Sequence, residues 1–287
     1  FTGVLSGVGG ITKTGAGKVV LTGANSYSGG TLVSAGELRG NATSLQGAIT
    51  NNATVVFDQS GNGTYSGGMA GTGVLVKEGS GTLQLGSSTY SGGTLLNGGA
   101  IDLASSTALG TGTVTIGNGT ILSSITAQRT LANNIIAAGN FTLGNGTQAT
   151  TFDGGFDLGG ATRTISLDNS ATFNGVVSNG GLVINSINAT NTRNFSLAGN
   201  NTFAGGITLN SGNLRLYHAN AAGTGAIVQS DGTSAILIYA NGTISNNMSL
   251  HNLRFQSNSV LAGVLTLNSP NTVLEVTNGI TGTISGA

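Results

Sequence analysis

Cysteine is absent and proline occurs once, at Pro270. Without cysteine there are no disulfides, no thiolate metal sites and no thiol nucleophile, a pattern that fits an exported chain. Charge is nearly as scarce. Only 6% of residues are Asp, Glu, Lys or Arg, against about 25% in ordinary globular chains. The nine basic and nine acidic residues cancel and are scattered singly. No basic stripe exists to displace counterions, which excludes a nucleic-acid partner, and no Lys/Arg cluster suits an anionic membrane. No apolar run reaches the roughly 18 residues of a membrane helix. No signal peptide opens the chain, and Phe1 falls inside a repeat, so the sequence reads as an excised fragment or mature segment.

What remains is abundant in small residues. The 287 residues include 51 glycines, far above the usual share of roughly 7%. No collagen-like period organises them. With 38% hydrophobic residues the composition is not that of charge-rich disorder. It describes a folded chain whose surface is Asn, Thr, Ser and Gly.

Internal repetition organises the chain. Aligning Tyr27, Tyr90 and Phe203 brings Gly29-Gly30, Gly92-Gly93 and Gly205-Gly206 into register, and then Leu38, Ile101 and Leu214. Thr31 and Thr94 follow the glycine pairs in the first two copies. An earlier half-unit precedes each copy, beginning at Phe1, Tyr65 and Phe173, so the clear units are 1–38, 65–103 and 173–216. A longer duplication places residues 90–136 on 203–249 without a gap, "ALGTG" meeting "AAGTG". The third unit loses the lysine of the others and carries an insertion around Thr190–Arg193. The last residues, "ITGTISGA", read like "FTGVLSGV" at Phe1.

Within a unit the pattern alternates, as at Leu83/Leu85 and Ile207/Leu209, which predicts short strands with one face inside. Glycine density disfavours helix. The best helical candidate, "LANNIIAAG" (131–139), reads as strand–turn–strand, as does its counterpart at 244–252. The similar intervals from Phe1 to Tyr27, from Tyr65 to Tyr90 and from Phe173 to Phe203 suggest a solenoid. Propeller blades of equal size do not fit the unequal offsets from Tyr27 to Tyr90 and from Tyr90 to Phe203. The expected fold is a single all-β parallel β-helix over 1–287, with roughly 13 coils of about 22 residues, each of about three strands. Inward positions would stack in apolar ladders, and outward Asn and Thr would stack with their own kind. Tyr27 would pack at a corner of one coil, Gly29-Gly30 would turn the backbone where a Cβ would clash, and Thr31, Val33 and Leu38 would lead into the core.

The segments "GVGGITKTGAGKVVLTGANSYSGGTLVSAGEL" (Gly7–Leu38) and "GTGVLVKEGSGTLQLGSSTYSGGTLLNGGAIDL" (Gly71–Leu103) closely resemble the autotransporter-associated β-strand repeat, also called the passenger-associated transport repeat. The third copy, Gly180–Leu216, lacks the Lys and the G-x-G and has Phe203-Ala204 for Tyr-Ser. The resemblance implies a right-handed parallel β-helix exported to the surface of a Gram-negative cell, with a C-terminal outer-membrane barrel in the full-length protein. A barrel needs alternating strands of about ten residues with aromatic girdles. This chain has few aromatics and no terminal cluster of them, so it is expected to be passenger alone.

Chemistry-bearing residues are few. The Gly-rich stretches lack the P-loop pattern and precede strands, so they read as turns. Lys13 and Lys77, at equivalent repeat positions, read as exposed turn residues. Asp153, Asp157, Asp168 and Asp231 are the carboxylates a polysaccharide-acting β-helix enzyme would have to gather, yet each fits a turn cap. His218 and His251 stand well apart in the chain with no local carboxylate, which argues against a zinc pair. No catalytic, cofactor or metal residue is expected. "RLYHAN" (215–220) breaks the repeat, and Arg215, Tyr217, His218 and Arg254 form the candidate recognition patch, since Arg and aromatics are enriched in binding surfaces.

The sequence favours a non-enzymatic surface passenger acting in adhesion or bacterial self-association. Its expected partners are a host cell surface or matrix, or the same protein on neighbouring cells. The alternatives are a polysaccharide-acting enzyme and the host-binding scaffold of a secreted toxin.

Overall fold

A computed structural model of the chain describes residues 1–145, 148–188 and 192–285. Among these there is no helix, and short parallel strands stack as a β-solenoid of about 14 turns. The chain divides into two compact units, Phe1–Phe141 and Thr142–Ala287. Thr190 of the predicted insertion, and the final Gly286 and Ala287, lie outside the described residues.

In the first unit three ladders run from coil to coil. One joins Ile11, Thr31, Ile49 and Met69, one short coil to each step. A second joins Val19, Leu38, Val55, Leu75, Thr94, Val114 and Ile135. The third joins Gly63, Leu83, Ile101 and Leu122. Strand side chains alternate in direction, so residues such as Val33, Leu38, Leu83, Ile101 and Leu122 are fully buried. The predicted strand–turn–strand at 131–139 appears as strands Arg129–Leu131 and Ile135–Ala137.

The ladders also explain the awkward offset between the first two copies. Thr31 stands in the first ladder, whereas its counterpart Thr94 stands in the second. Three coils carry the chain from Thr31 through Ile49 and Met69 to the level of Thr89, whose amide donates to Met69 O at 2.7 Å. A short further step along the chain reaches Thr94 one face on. The second copy is therefore rotated by one face relative to the first.

In the second unit one face stacks Phe152, Phe173 and Leu197, then Leu216, Ile238, Phe255 and Val276. A second stacks Leu182, Ile207, Ile227, Met248 and Leu265. A third stacks Ile244, Leu261 and Ile284. Two strands are long, Phe156–Leu167 and Val177–Ser186, and their pairing slips between Asp157 and Ala161. The rings of Phe152 and Phe173 lie parallel at 4.8 Å, and Phe195 continues the stack at 4.7 Å from Phe173. The second segment read as strand–turn–strand, at 244–252, is divided among Gly242–Ile244, Met248–Leu250 and Asn252–Phe255. Outside, asparagines pair with asparagines one coil away: Asn210 with Asn185, Asn213 with Asn194, and Asn220 with Asn200, at 3.0, 3.2 and 2.9 Å.

Candidate functional site

The repeated motif is a joint between coils. At Gly29 a Cβ would stand 2.5 Å from Gly10 N, and at Gly92 2.4 Å from Thr72 O. The glycine that follows has a positive φ in all three copies: 79° at Gly30, 94° at Gly93 and 76° at Gly206. A side chain is excluded first by a neighbouring backbone and then by its own. The aromatic ring beside the joint is buried in every copy. Tyr27 and Tyr90 share hydrogen bonds with Thr31 and Thr94 at 2.9 and 2.5 Å. Burial pushes the Tyr90 hydroxyl well above the usual phenol range. In the third copy Phe203 and Ile207 occupy these places, so both partners of the hydrogen bond are lost together and no buried hydroxyl is left alone.

The motif lysines are not exposed turn residues, contrary to the sequence expectation. Lys13 is 5% exposed and Lys77 0%. Lys13 Nζ donates to the carbonyls of Thr14, Gly15 and Ala35 at 2.9, 2.7 and 2.9 Å. Lys77 Nζ repeats the pattern on Glu78, Gly79 and Gly98 at 2.6, 2.9 and 3.1 Å. Each ammonium holds two carbonyls of its own turn and one of the next coil. Three donors meet three acceptors, which compensates the cost of burying the charge. Burial pushes Lys77 down to about 8, while Asp58 and Glu78 act to hold it up. On the adjoining outer face Arg39 bridges Glu37, Asp58 and Glu78 at 3.0, 3.3 and 2.6 Å, and the bonds to Glu78 and then Glu37 keep its guanidinium firmly protonated.

The candidate recognition residues lie on one outer face of the second unit. Arg215, Leu237, Arg254 and Glu275 are register partners on successive coils. Arg254 is tied to Glu275 at 3.1 Å. Two positions further along each strand runs a parallel row, Asn174, Ala198, Tyr217, Tyr239, Gln256 and Thr277, set by the pairing of the residues before them. Tyr217 and Tyr239 stack at 4.6 Å with their planes 9° apart. The Arg215 guanidinium carbon lies 5.9 Å from the Tyr239 ring centre, a cation–π distance. Its Nε is buried and unpartnered among the described residues. His218 is turned into local structure, its Nδ1 accepting from Asn220 N at 3.1 Å.

Tyr239 is the member of this patch that sequence reasoning missed. It follows Tyr217 by one coil, and adding the coil period to Tyr217 would have found it.

The remaining sequence candidates are dispersed. Asp153 accepts from Asn174 Nδ2, and Asp157 from Gly159 N and Asn179 Nδ2. Asp231 accepts from Thr233 Oγ1 and Ser234 N within its own turn. Asp168 is half-buried at the end of strand Phe156–Leu167, and its amide donates to Leu143 O. The His251 backbone N–H donates to Gln229 Oε1. Among the described residues no three of His, Asp and Glu gather as a metal-holding group.

The family model of the passenger-associated transport repeat matches residues 11–39, 75–103 and 190–216. The chain is also similar to the adhesin BmaC autotransporter of Brucella suis biovar 1 (strain 1330), with 31% identity over 267 residues. That alignment covers 83% of this chain, which spans 8% of the relative's length. No solved structure matches the chain.

Proposed function

The chain belongs to the autotransporter passengers built on passenger-associated transport repeats, and from that premise we propose that it is a non-enzymatic adhesive stalk displayed at the bacterial cell surface. The observation that carries this reading is the similarity to an adhesin along 83% of the chain. The joints described above belong to the scaffold. Lys13, Lys77, Tyr27 and Tyr90 are all buried and satisfied by neighbouring groups.

The outer faces are left for contact. They are rows of Asn and Thr with little charge, interrupted by the Arg215–Tyr217–Tyr239 patch. Weak contacts repeated from coil to coil add by avidity rather than by one tight site. A host surface or matrix, or the same protein on a neighbouring cell, would be the partner. The whole protein would carry an outer-membrane barrel for export. The dispersed carboxylates favour no hydrolase.

The test is display of the chain on a non-adherent bacterium. Adherence to cultured cells or autoaggregation should rise above that of an empty display vector. Equal adherence and equal sedimentation would overturn the proposal.

A further inference from the structure

We propose that the Arg215–Tyr217 patch binds an acidic glycan, a sugar chain bearing carboxylate or sulfate groups. This deepens the adhesive reading and rests on it. One outer row runs Asp153, Asn174, Ala198, Tyr217 and Tyr239, with the Asp153 carboxylate one coil beyond Asn174 and bonded to it. Tyr239 covers one face of the Tyr217 ring at 4.6 Å. The next residue on the other side is Ala198, and beyond it stands Asn174. Tyr217 is 42% exposed. Over Ala198 the row therefore has a notch, bounded by Tyr217 and by Asn174 two coil spacings of about 4.8 Å away. That height accommodates a flat ring laid on the open Tyr217 face.

A pyranose suits such a shelf, because its axial C–H groups carry partial positive charge and an aromatic face is negative. Asn174, at the far wall of the notch, is exposed; its Nδ2 donates to Asp153 Oδ1 at 2.7 Å, and its Oδ1 can accept from a sugar hydroxyl.

The acidic character follows from the neighbouring row. Arg215 has no carboxylate in salt-bridge range among the described residues, whereas Arg39 has three and Arg254 has one. Its guanidinium is held beside Tyr239 by the ring, with Nε unsatisfied. A fixed guanidinium with no carboxylate partner, beside an aromatic shelf, is matched by an anionic group, and a planar carboxylate or a tetrahedral sulfate presents paired oxygens to it. A peptide partner would instead call for an open strand edge or an apolar pocket. At this place the strands Asn213–Leu216 and Ala235–Ile238 are paired on both sides.

The test is calorimetric titration of the purified chain with a hyaluronan oligosaccharide, a heparin oligosaccharide and a neutral maltodextrin of equal length. Binding of either acidic chain, weakened by added salt and absent for the neutral one, is expected. Tyr217→Ala and Arg215→Gln should each weaken it by about tenfold or more, and Tyr217→Phe should leave it within about twofold, since Phe keeps the ring face. Unchanged far-ultraviolet circular dichroism would establish that each variant is folded. Equal binding of neutral and acidic sugars overturns the acidic class, and acidic binding that survives both Tyr217→Ala and Arg215→Gln overturns the site. If no sugar binds while displayed chains still confer adherence, the glycan proposal fails and the adhesive reading stands. If displayed chains confer no adherence but the acidic sugars bind through these residues, the reverse holds.

Discussion

Between Ile11 and Leu103 each motif copy has a buried lysine that ties its own turn to Ala35 or Gly98, one strand beyond the Gly-Gly joint, whereas no lysine occurs after Lys77. The third copy keeps the Gly205-Gly206 turn and the buried ring at Phe203, yet its polar devices are gone. Phe203 and Ile207 replace the Tyr–Thr pair, and the stacked rings of Phe152, Phe173 and Phe195 fill the neighbouring core. Two chemistries thus support the Gly-Gly turn: a tyrosine and a threonine whose hydroxyls bond each other, or apolar side chains that ask for no partner. The difference teaches that the glycine pair is the common physical requirement within this chain, and the Tyr–Thr pair is one way of stabilising it. It also separates scaffold from surface. Where the lysine clamp is lost, an exposed Tyr217 and a half-buried Arg215 appear on the outer face.

The comparison breaks hardest at the glycines. Gly92→Ala places a Cβ 2.4 Å from Thr72 O and should cost about 3 kcal/mol, read as a shift in the urea midpoint. Its partner in the third copy, Gly205→Ala, meets Gly180 O at 2.7 Å and should be nearly as harmful, because the turn is common to both chemistries. Next comes the clamp. Lys77→Met leaves three carbonyls without a donor, and the relief of burying no charge offsets part of that. A net loss of about 2 kcal/mol is expected.

The hydroxyl pair gives a sharper test. Phe203→Tyr buries a hydroxyl against Ile207 and should cost about 1–2 kcal/mol. Adding Ile207→Thr should recover most of it, by supplying the partner seen at Tyr90–Thr94. The mirror cycle, Tyr90→Phe with and without Thr94→Val, should show the same coupling. Additive losses in both cycles would mean the pairs are not alternatives.

The pH dependence is smaller. Lys77 sits at about 8 when folded and at 10.5 otherwise. Between those values the unfolded chain binds more protons, so stability should rise as pH increases from about 8 to about 10.5. Lys77→Met should remove that rise, compared by thermal unfolding across the window. The smallest effect on stability is expected at the patch, where Tyr217→Ala should change it by no more than about 0.5 kcal/mol.

Much of this fold was legible because it is written in short-range pattern. Alternation at Leu83 and Leu85 and the glycine pairs at fixed offsets dictate short strands and tight turns, and repetition dictates stacking. The burial of Lys13 and Lys77 was not legible. A lysine among glycines has the local signature of an exposed turn, and the deciding acceptors, Ala35 and Gly98, arrive from the next coil. The one-face rotation between Thr31 and Thr94 was hidden for a similar reason. It is fixed by unequal coils, the one from Thr31 to Ile49 being shorter than the one from Ile49 to Met69. Arg215 and Tyr217 stood out because they break the repeat. Tyr239 did not, since its role comes from standing one coil above Tyr217.

The central claim is that the joints hold the scaffold and the Arg215–Tyr217 face makes the contact. Adherence of bacteria displaying Lys77→Met, measured beside bacteria displaying Arg215→Gln/Tyr217→Ala at a temperature well below the unfolding of both, tests it most directly. The account predicts unchanged adherence for Lys77→Met and a loss for the double variant. Full adherence of the double variant, with loss for Lys77→Met while still folded, would contradict it.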